Sequence, residues 1–413
     1  MKHKYILNRD LKWFIGLSVG PAFVAICVKI VLIATLYSSS DLNAVSHSVR
    51  DKRHESYTFP DRGNKINAIQ STFNGRYVWK ALPVKAPEPI DNPLTSEKIL
   101  LGRKLFFDKQ LSFDRTVSCS TCHRLSLEHG GGDSLEVPEG IFNRKGLRNS
   151  PTVINAAFQR ALFWDGRAMS LEDQASGPLL NPLEMGLPSL EFLQNRLKEL
   201  PEYKKLFENA FGNKDSLTPD SILKSIASYE RTLITPDSPY DRFVRGDKHA
   251  LSKQQIRGMA LFESTGCINC HFGENFSAAN HLARQTAFRI FPIHSNKKYE
   301  NKYDLTKDVG LMENISLDNS SGVWRVPTLR NVSLTSPYFH NGSVKELKEA
   351  IRIMAVVQLN KTIAKDSLGY KSYYWDEKGK ILKVREENTL SEKDVDDIAA
   401  FLDSLTGQNI SNM

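Results

Sequence analysis

Two stretches of this chain repeat one pattern of apolar and polar positions. Leu94-Thr95-Ser96-Glu97 leads through Gly102-Arg103-Lys104-Leu105-Phe106 towards a cysteine-bearing loop, and Leu251-Ser252-Lys253 leads through Gly258-Met259-Ala260-Leu261-Phe262 towards another. Each reads as an amphipathic helix that starts at a Thr or Ser cap and buries its Leu-Phe pair. Each half continues with a Pro-Thr element, Pro151-Thr152-Val153-Ile154-Asn155 or Pro327-Thr328-Leu329-Arg330-Asn331. A turn follows, Phe163-Trp164-Asp165-Gly166 or Phe339-His340-Asn341-Gly342, and each half closes on a helix, Leu217 to Leu233 or Leu390 to Leu405. Strand signals are few. The pattern predicts a mainly α chain of two helical domains related by an internal repeat, 93–245 and 246–413, joined near Asp237–Lys248 where Pro236 and Pro239 break the helix.

The N-terminus follows a different pattern. Lys2, Lys4, Arg9 and Lys12 precede an apolar run from Trp13 to Tyr37, which reads as a membrane-spanning helix with its N-terminus inside. Lys29 lies near the far end of the run, where it can snorkel to the interface. The alternative is a cleaved secretory signal with Trp13 to Val28 as its apolar region. Both readings export everything after Ser38. Residues 1–37 are therefore expected to be an anchor, and 38–92 a polar, Pro-punctuated tether that ends by packing on the first domain.

Composition narrows the class without choosing a function. The 413 residues are 40% hydrophobic and 25% charged, with 24 Gly and 18 Pro, which excludes a collagen, a disordered chain or a multi-span membrane protein. The net charge of +8 is scattered and forms no stripe of the kind a nucleic acid would need, so no nucleic-acid partner is expected.

Cysteine usage carries the chemistry. Of the five cysteines, Cys27 falls in the apolar run, and the other four form Cys119-Ser120-Thr121-Cys122-His123 and Cys267-Ile268-Asn269-Cys270-His271. Two thiols at this spacing add to the two vinyl groups of one haem, and the adjacent His ligates its iron. A disulfide loop, a redox Cys pair or half a zinc site would need no His directly after the second Cys. Two such motifs inside a repeat point to two covalently attached haems c, in cytochrome-c-like domains.

The text around these motifs resembles the bacterial dihaem cytochrome c peroxidases of the MauG superfamily. The resemblance rests on Leu101-Gly102-Arg103, Arg148-Asn149-Ser150-Pro151-Thr152, Phe163-Trp164-Asp165-Gly166-Arg167, Val326-Pro327-Thr328-Leu329-Arg330-Asn331-Val332 and Pro337-Tyr338-Phe339-His340. It implies that the first haem meets hydrogen peroxide and that the second, higher in potential, accepts electrons and passes them inward. It also implies Met354 as the second haem's axial ligand, Glu184 as the distal acid–base group, Gln174 as a distal hydrogen-bonding partner and Trp164 as the relay between haems. A calcium ion at Asn149, Thr335 and Pro337 is implied as well. By spacing alone Met354 reads as a core residue of a helix over Val344–Val357, Glu184 as a loop residue and Gln174 as a helix-surface residue, and the resemblance reverses these readings; Met259 and Met312 are weaker ligand candidates.

One departure stands out. The family often carries a closing His in the loop that here reads Glu139-Gly140-Ile141-Phe142-Asn143, and Ile141 stands at its place. The first haem is accordingly expected to be open at rest, with His129 the competing ligand; His281 and His294 read as solvated loop residues. The expected function is peroxide reduction at the periplasmic side of the inner membrane, with electrons from a small cytochrome c, a copper protein or quinol. A homodimer is a further possible assembly. A MauG-type oxidation of partner-protein residues and a plain electron carrier are the alternatives. Such MauG-type enzymes generally carry Tyr where Met354 stands, which favours the peroxidase.

Overall fold

The computed structural model describes residues 77–126, 128–280, 287–311, 322–364 and 389–407. The expected anchor, most of the tether, Met312 and His281 lie outside them. No helix among the described residues is long and apolar enough to cross a membrane.

The first half opens on α1 (Ser96–Phe107), whose Thr95 hydroxyl accepts the Lys98 N–H, and a single turn α2 (Cys119–Cys122) carries the first cysteine pair. Then come α3 (Leu171–Leu180), α4 (Leu190–Lys198), α5 (Pro201–Phe211) and α6 (Pro219–Glu230), with the short α7 (Pro239–Val244) at the expected junction. The second half repeats the plan with α8 (Lys253–Ser264), boxed by Ser252 and Gln255, then α9 (Lys297–Tyr303), α10 (Leu347–Ile353) and α11 (Glu392–Asp403). Among the described residues the strands form two short pairs, β1 (Phe288–Ile290) antiparallel to β2 (Val323–Arg325), and β3 (Thr362–Ala364) parallel to β4 (Thr389–Ser391).

The repeat extends to backbone detail. Asn155 and Asn331 are left-handed at φ 63° and 59°, and Phe163 and Phe339 at 65° and 69°. Both asparagine amides donate to one linker hydroxyl, Thr235 Oγ1, at 2.9 and 3.2 Å. Gly102 and Gly258 hold the same place in the two helix crossings. A Cβ on Gly102 would stand 1.9 Å from the Ser225 carbonyl oxygen of α6, and one on Gly258 1.8 Å from that of Asp397 in α11. Gly102→Ala or Gly258→Ala is therefore expected to cost roughly 1–3 kcal/mol by forcing the helices apart. A thermal melt checks it, and an unchanged midpoint would show that the crossings have slack.

The end of the tether departs from expectation. Tyr77 belongs to the second-half core with Tyr240, Phe276 and Phe401, whereas Leu82 and Ala86 join a first-half cluster with Phe158 and Leu162. The Tyr77 hydroxyl accepts the Gly273 N–H at 2.7 Å, and the Leu82 N–H donates to Asp241 Oδ1 at 2.8 Å. The segment thus spans both halves, because its aromatic residues find their apolar partners beside the second cysteine loop. The helix expected over Val344–Val357 also differs: α10 stops at Ile353 and passes into a π-turn, Met354–Gln358.

Candidate active site

In each half the imidazole after the cysteine pair is held by its own loop. Gly130 and Gly131, at φ 55° and 86°, turn the chain back so that the Gly131 carbonyl accepts from His123 Nδ1 at 3.2 Å. In the second half the Phe276 carbonyl accepts from His271 Nδ1 at 3.1 Å. Thr152 and Thr328 pin the two loops alike, donating to the Gly130 and Asn275 carbonyls at 2.6 and 2.7 Å. A carbonyl only accepts, so Nδ1 carries the proton and Nε2 is left to ligate a metal. Burial lowers the pKa of both rings, that of His271 to about 4, which keeps them in the neutral form a metal requires. The four motif cysteines are free of disulfides.

A cavity of about 330 Å³ opens on the first motif, and Cys119, Cys122, His123, Trp164, Gln174 and Glu184 all reach its wall. Two thiols that can bond the vinyl groups and an imidazole that can ligate iron, all on one cavity, fit a covalent haem c. Gln174 stands on α3 just past its Ser170 cap, and Asn181 caps the helix at the other end. Asn181 Nδ2 donates to Glu184 Oε1 at 2.7 Å. Burial raises the Glu184 pKa against the opposing pull of Arg167 and Asn181.

The Ile141 loop braces the backbone of Glu184. The Ile141 N–H donates to the Glu184 carbonyl at 2.8 Å, and the Ile141 side chain is 2% exposed in the first-half core. Gly140 permits the approach, since a Cβ there would lie 2.1 Å from the Leu183 carbonyl oxygen. His129 is engaged elsewhere: Ser126 Oγ meets its Nδ1 at 2.8 Å and Arg124 Nη1 its Nε2 at 3.1 Å.

Trp164 sits at the seam between halves. Its Nε1 donates to the Asn149 carbonyl at 2.8 Å, and its own carbonyl accepts the Arg325 N–H of β2 at 2.9 Å. Arg325, 3% exposed, donates to the Phe163 carbonyl and to Gln159 Oε1, both at 2.7 Å, and reaches the first cavity from the second half. Arg148 joins Asp165 to Asp308 across the same seam and covers the Trp324 ring, which stacks on His340 at 4.0 Å. Sequence reading missed Arg325 and Arg148 as seam residues; Arg148 opens one recognised motif and Arg325 flanks another, and that was the available signal.

Met354 is half-buried at the first position of the π-turn, a geometry frequent at functional sites. The next residue, Ala355, packs in the core that also meets Cys267, and its carbonyl accepts the Lys361 N–H at 2.8 Å. Met259 is a core residue, 1% exposed. His294, expected to be solvated, is instead half-buried, because its N–H donates to the Val357 carbonyl of the π-turn at 2.8 Å. Asn149 is 7% exposed and donates its amide to the Leu135 carbonyl at 2.8 Å, while its backbone N–H donates to the His340 carbonyl at 2.8 Å.

A profile of the di-haem cytochrome c peroxidase family matches residues 96–249. The chain is 37% identical to the cytochrome c551 peroxidase of Pseudomonas aeruginosa over 80% of its own length and 85% of the relative's. It is 36% identical to the cytochrome c peroxidase Ccp of Escherichia coli, covering 78% of this chain and 60% of that one. The methylamine utilization protein MauG of Methylophilus methylotrophus is 33% identical, with 79% and 87% covered. Among solved structures, a MauG-like protein associated with microbial copper homeostasis superposes with a TM-score of 0.65 at 28% identity, over 80% of this chain and 95% of that one. The diheme peroxidase BthA from Burkholderia thailandensis, at 23% identity and a TM-score of 0.58 over 80% and 93%, shares the fold.

Proposed function

The chain belongs to the di-haem cytochrome c peroxidase family, and from that footing we propose that it reduces hydrogen peroxide to two waters with two electrons from an external donor and two protons. The observation that carries the reading is the one cavity that gathers the Cys119-Cys122-His123 donor set with Glu184 and Gln174. A haem c held by Cys119, Cys122 and His123 would supply the iron for peroxide, and one held by Cys267, Cys270 and His271, with Met354 as a further ligand, would supply the electron entry. Everything else is the work of side chains.

Glu184 takes the proton from the inner oxygen of bound peroxide at Oε2 and delivers it to the outer oxygen, so that the leaving group departs as water. Asn181 holds the other carboxylate oxygen and so fixes the direction of Oε2. Gln174 hydrogen-bonds the peroxide without titrating. Trp164, bonded to Asn149 on one side and Arg325 on the other, gives electrons a rigid route across the seam. Ile141 is buried in the first-half core and the His129 ring is held by Ser126 and Arg124, so neither closes the first site and this enzyme works without prior reduction.

The same reading places 93–245 and 246–413 as the two haem domains on the periplasmic side of the inner membrane, with 1–37 as anchor. It also places a calcium ion on the Asn149 carbonyl side chain, whose amide is turned towards Leu135, with the Thr335 and Pro337 carbonyls. The donor is a small cytochrome c, a copper protein or quinol. The haem-loaded protein, given peroxide and a reduced small cytochrome c, is expected to oxidise two cytochromes per peroxide. Peroxide consumption that ignores the cytochrome and instead modifies residues of a partner protein would favour the MauG-type alternative.

A further inference from the structure

Glu230, the last residue of α6, has no part in the chemistry above. It is 5% exposed, its Oε2 is buried without a hydrogen-bond partner, and it lines the first cavity beside Cys119. The adjacent Arg231 does not neutralise it, because both guanidinium Nη atoms are spent on the Glu172 carboxylate of α3 at 2.8 and 2.9 Å. An unpaired buried carboxyl is costly, and an apolar residue would fill this wall more cheaply. Haem chemistry limits what it faces. A haem attached at Cys119, Cys122 and His123 would place its redox-active iron in this cavity, so the charge that changes near Glu230 would be that of the iron.

Resting on the attachment of the first haem at Cys119, Cys122 and His123, we propose that Glu230 is the redox-linked proton acceptor of that site. One electron from the donor and one proton from solvent enter together, the proton on the Glu230 carboxylate, and both leave together on reoxidation. The balance is electrostatic: an added electron removes the positive charge that favours the ionised carboxylate. Burial already pushes the Glu230 pKa up to about 8, with Glu172 adding to the rise and Arg231 opposing it. Cys119 interacts with it electrostatically; the cavity wall also carries Cys122, His123, Arg148, Asp165, Arg167, Glu184 and Arg325, and Arg103 of α1 meets the preceding Tyr229.

The experiment is a spectroelectrochemical titration of both haems in the loaded full-length protein across about pH 6 to 9, for wild type and Glu230→Gln. In wild type the reduction equilibrium of the first haem is expected to fall up to tenfold per pH unit. In Glu230→Gln that slope is expected to flatten while the second haem stays as in wild type. A redox-difference infrared spectrum of wild type supplies a readout independent of the variant's folding: a protonated-carboxyl band is expected to grow on reduction of the first haem. A pH-independent first haem in wild type, an unchanged slope in Glu230→Gln, or no carboxyl band would overturn the proposal. An absorption spectrum lacking one haem, or peroxide left unconsumed, would instead count against the peroxidase reading.

Discussion

Glu184→Gln is expected to slow peroxide turnover by about 10²–10⁴-fold, the usual contribution of a positioned acid–base group, with both haem absorption spectra intact. Gln matches the shape of Glu and keeps an oxygen for Asn181 Nδ2, so the wall of the cavity holds while the proton carrier is lost. The pH profile gives a second readout. Burial raises the Glu184 pKa, so the acid limb of turnover in wild type should lie above the ordinary carboxylate range, where loss of the ionised base sets in as pH falls. That limb should vanish in Glu184→Gln. In Asn181→Leu it should move to still higher pH, because the Asn181 hydrogen bond favours the ionised form. Stopped-flow mixing with peroxide over a pH series measures all three, and wild-type rates in Glu184→Gln would remove the residue from the mechanism.

The largest stability effect is expected at Arg330 and Asp241. Both side chains are fully buried, and Arg330 meets Asp241 through two hydrogen bonds, Nη1 to Oδ2 at 2.8 Å and Nη2 to Oδ1 at 2.9 Å. Asp241 also accepts from the Leu82 and Ser238 N–H groups, and Arg330 Nε donates to the Glu274 carbonyl at 2.7 Å. One pair therefore ties the end of the tether, α7 and the loop behind His271. Arg330→Leu leaves the Asp241 charge buried and unpaired, and should cost about 3–5 kcal/mol, a fall in melting temperature on the order of 10 °C. Arg330 and the surrounding hydrogen bonds hold the Asp241 pKa below its usual value against the opposing effect of burial. Its stabilisation is thus complete above the ordinary aspartate range and lost as pH falls through the lowered value. The gap between wild type and variant should narrow in acid, where the stranded carboxyl protonates. Thermal melts at neutral and acidic pH check this, and a gap constant with pH would mean that packing rather than charge sets the cost.

What could be read from the residues alone was local. Thr95 and Ser252 announce their helices because a cap bonds within one turn, and the two Cys-x-x-Cys-His runs announce haem because the spacing is itself the chemistry. Glu184, Gln174, Trp164 and His123 came through as members of matching motifs, and the fold brings all four to one cavity. Long-range partners were silent. Nothing in the text of Gly102 tells that Ser225 lies over it, or in Arg325 that its guanidinium crosses to Gln159. Glu230 looks like any charged residue near a helix end until α6 and α2 close around it. Tyr77 and Trp79 were hidden in a segment judged by its prolines and polar residues, although two aromatics so close together already hinted at burial. The π-turn at Met354 has no sequence signature that a helical period would expose.

Low-temperature EPR of the oxidised, haem-loaded protein, with peroxide added before any reductant, tests the always-open peroxide site beside His123. A high-spin signal from one haem, a low-spin signal from the other and immediate peroxide consumption are the expected result. Two low-spin signals, with no consumption until one electron has been supplied, would contradict it and would mean that a side chain such as His129 leaves Ser126 and Arg124 to close the first haem.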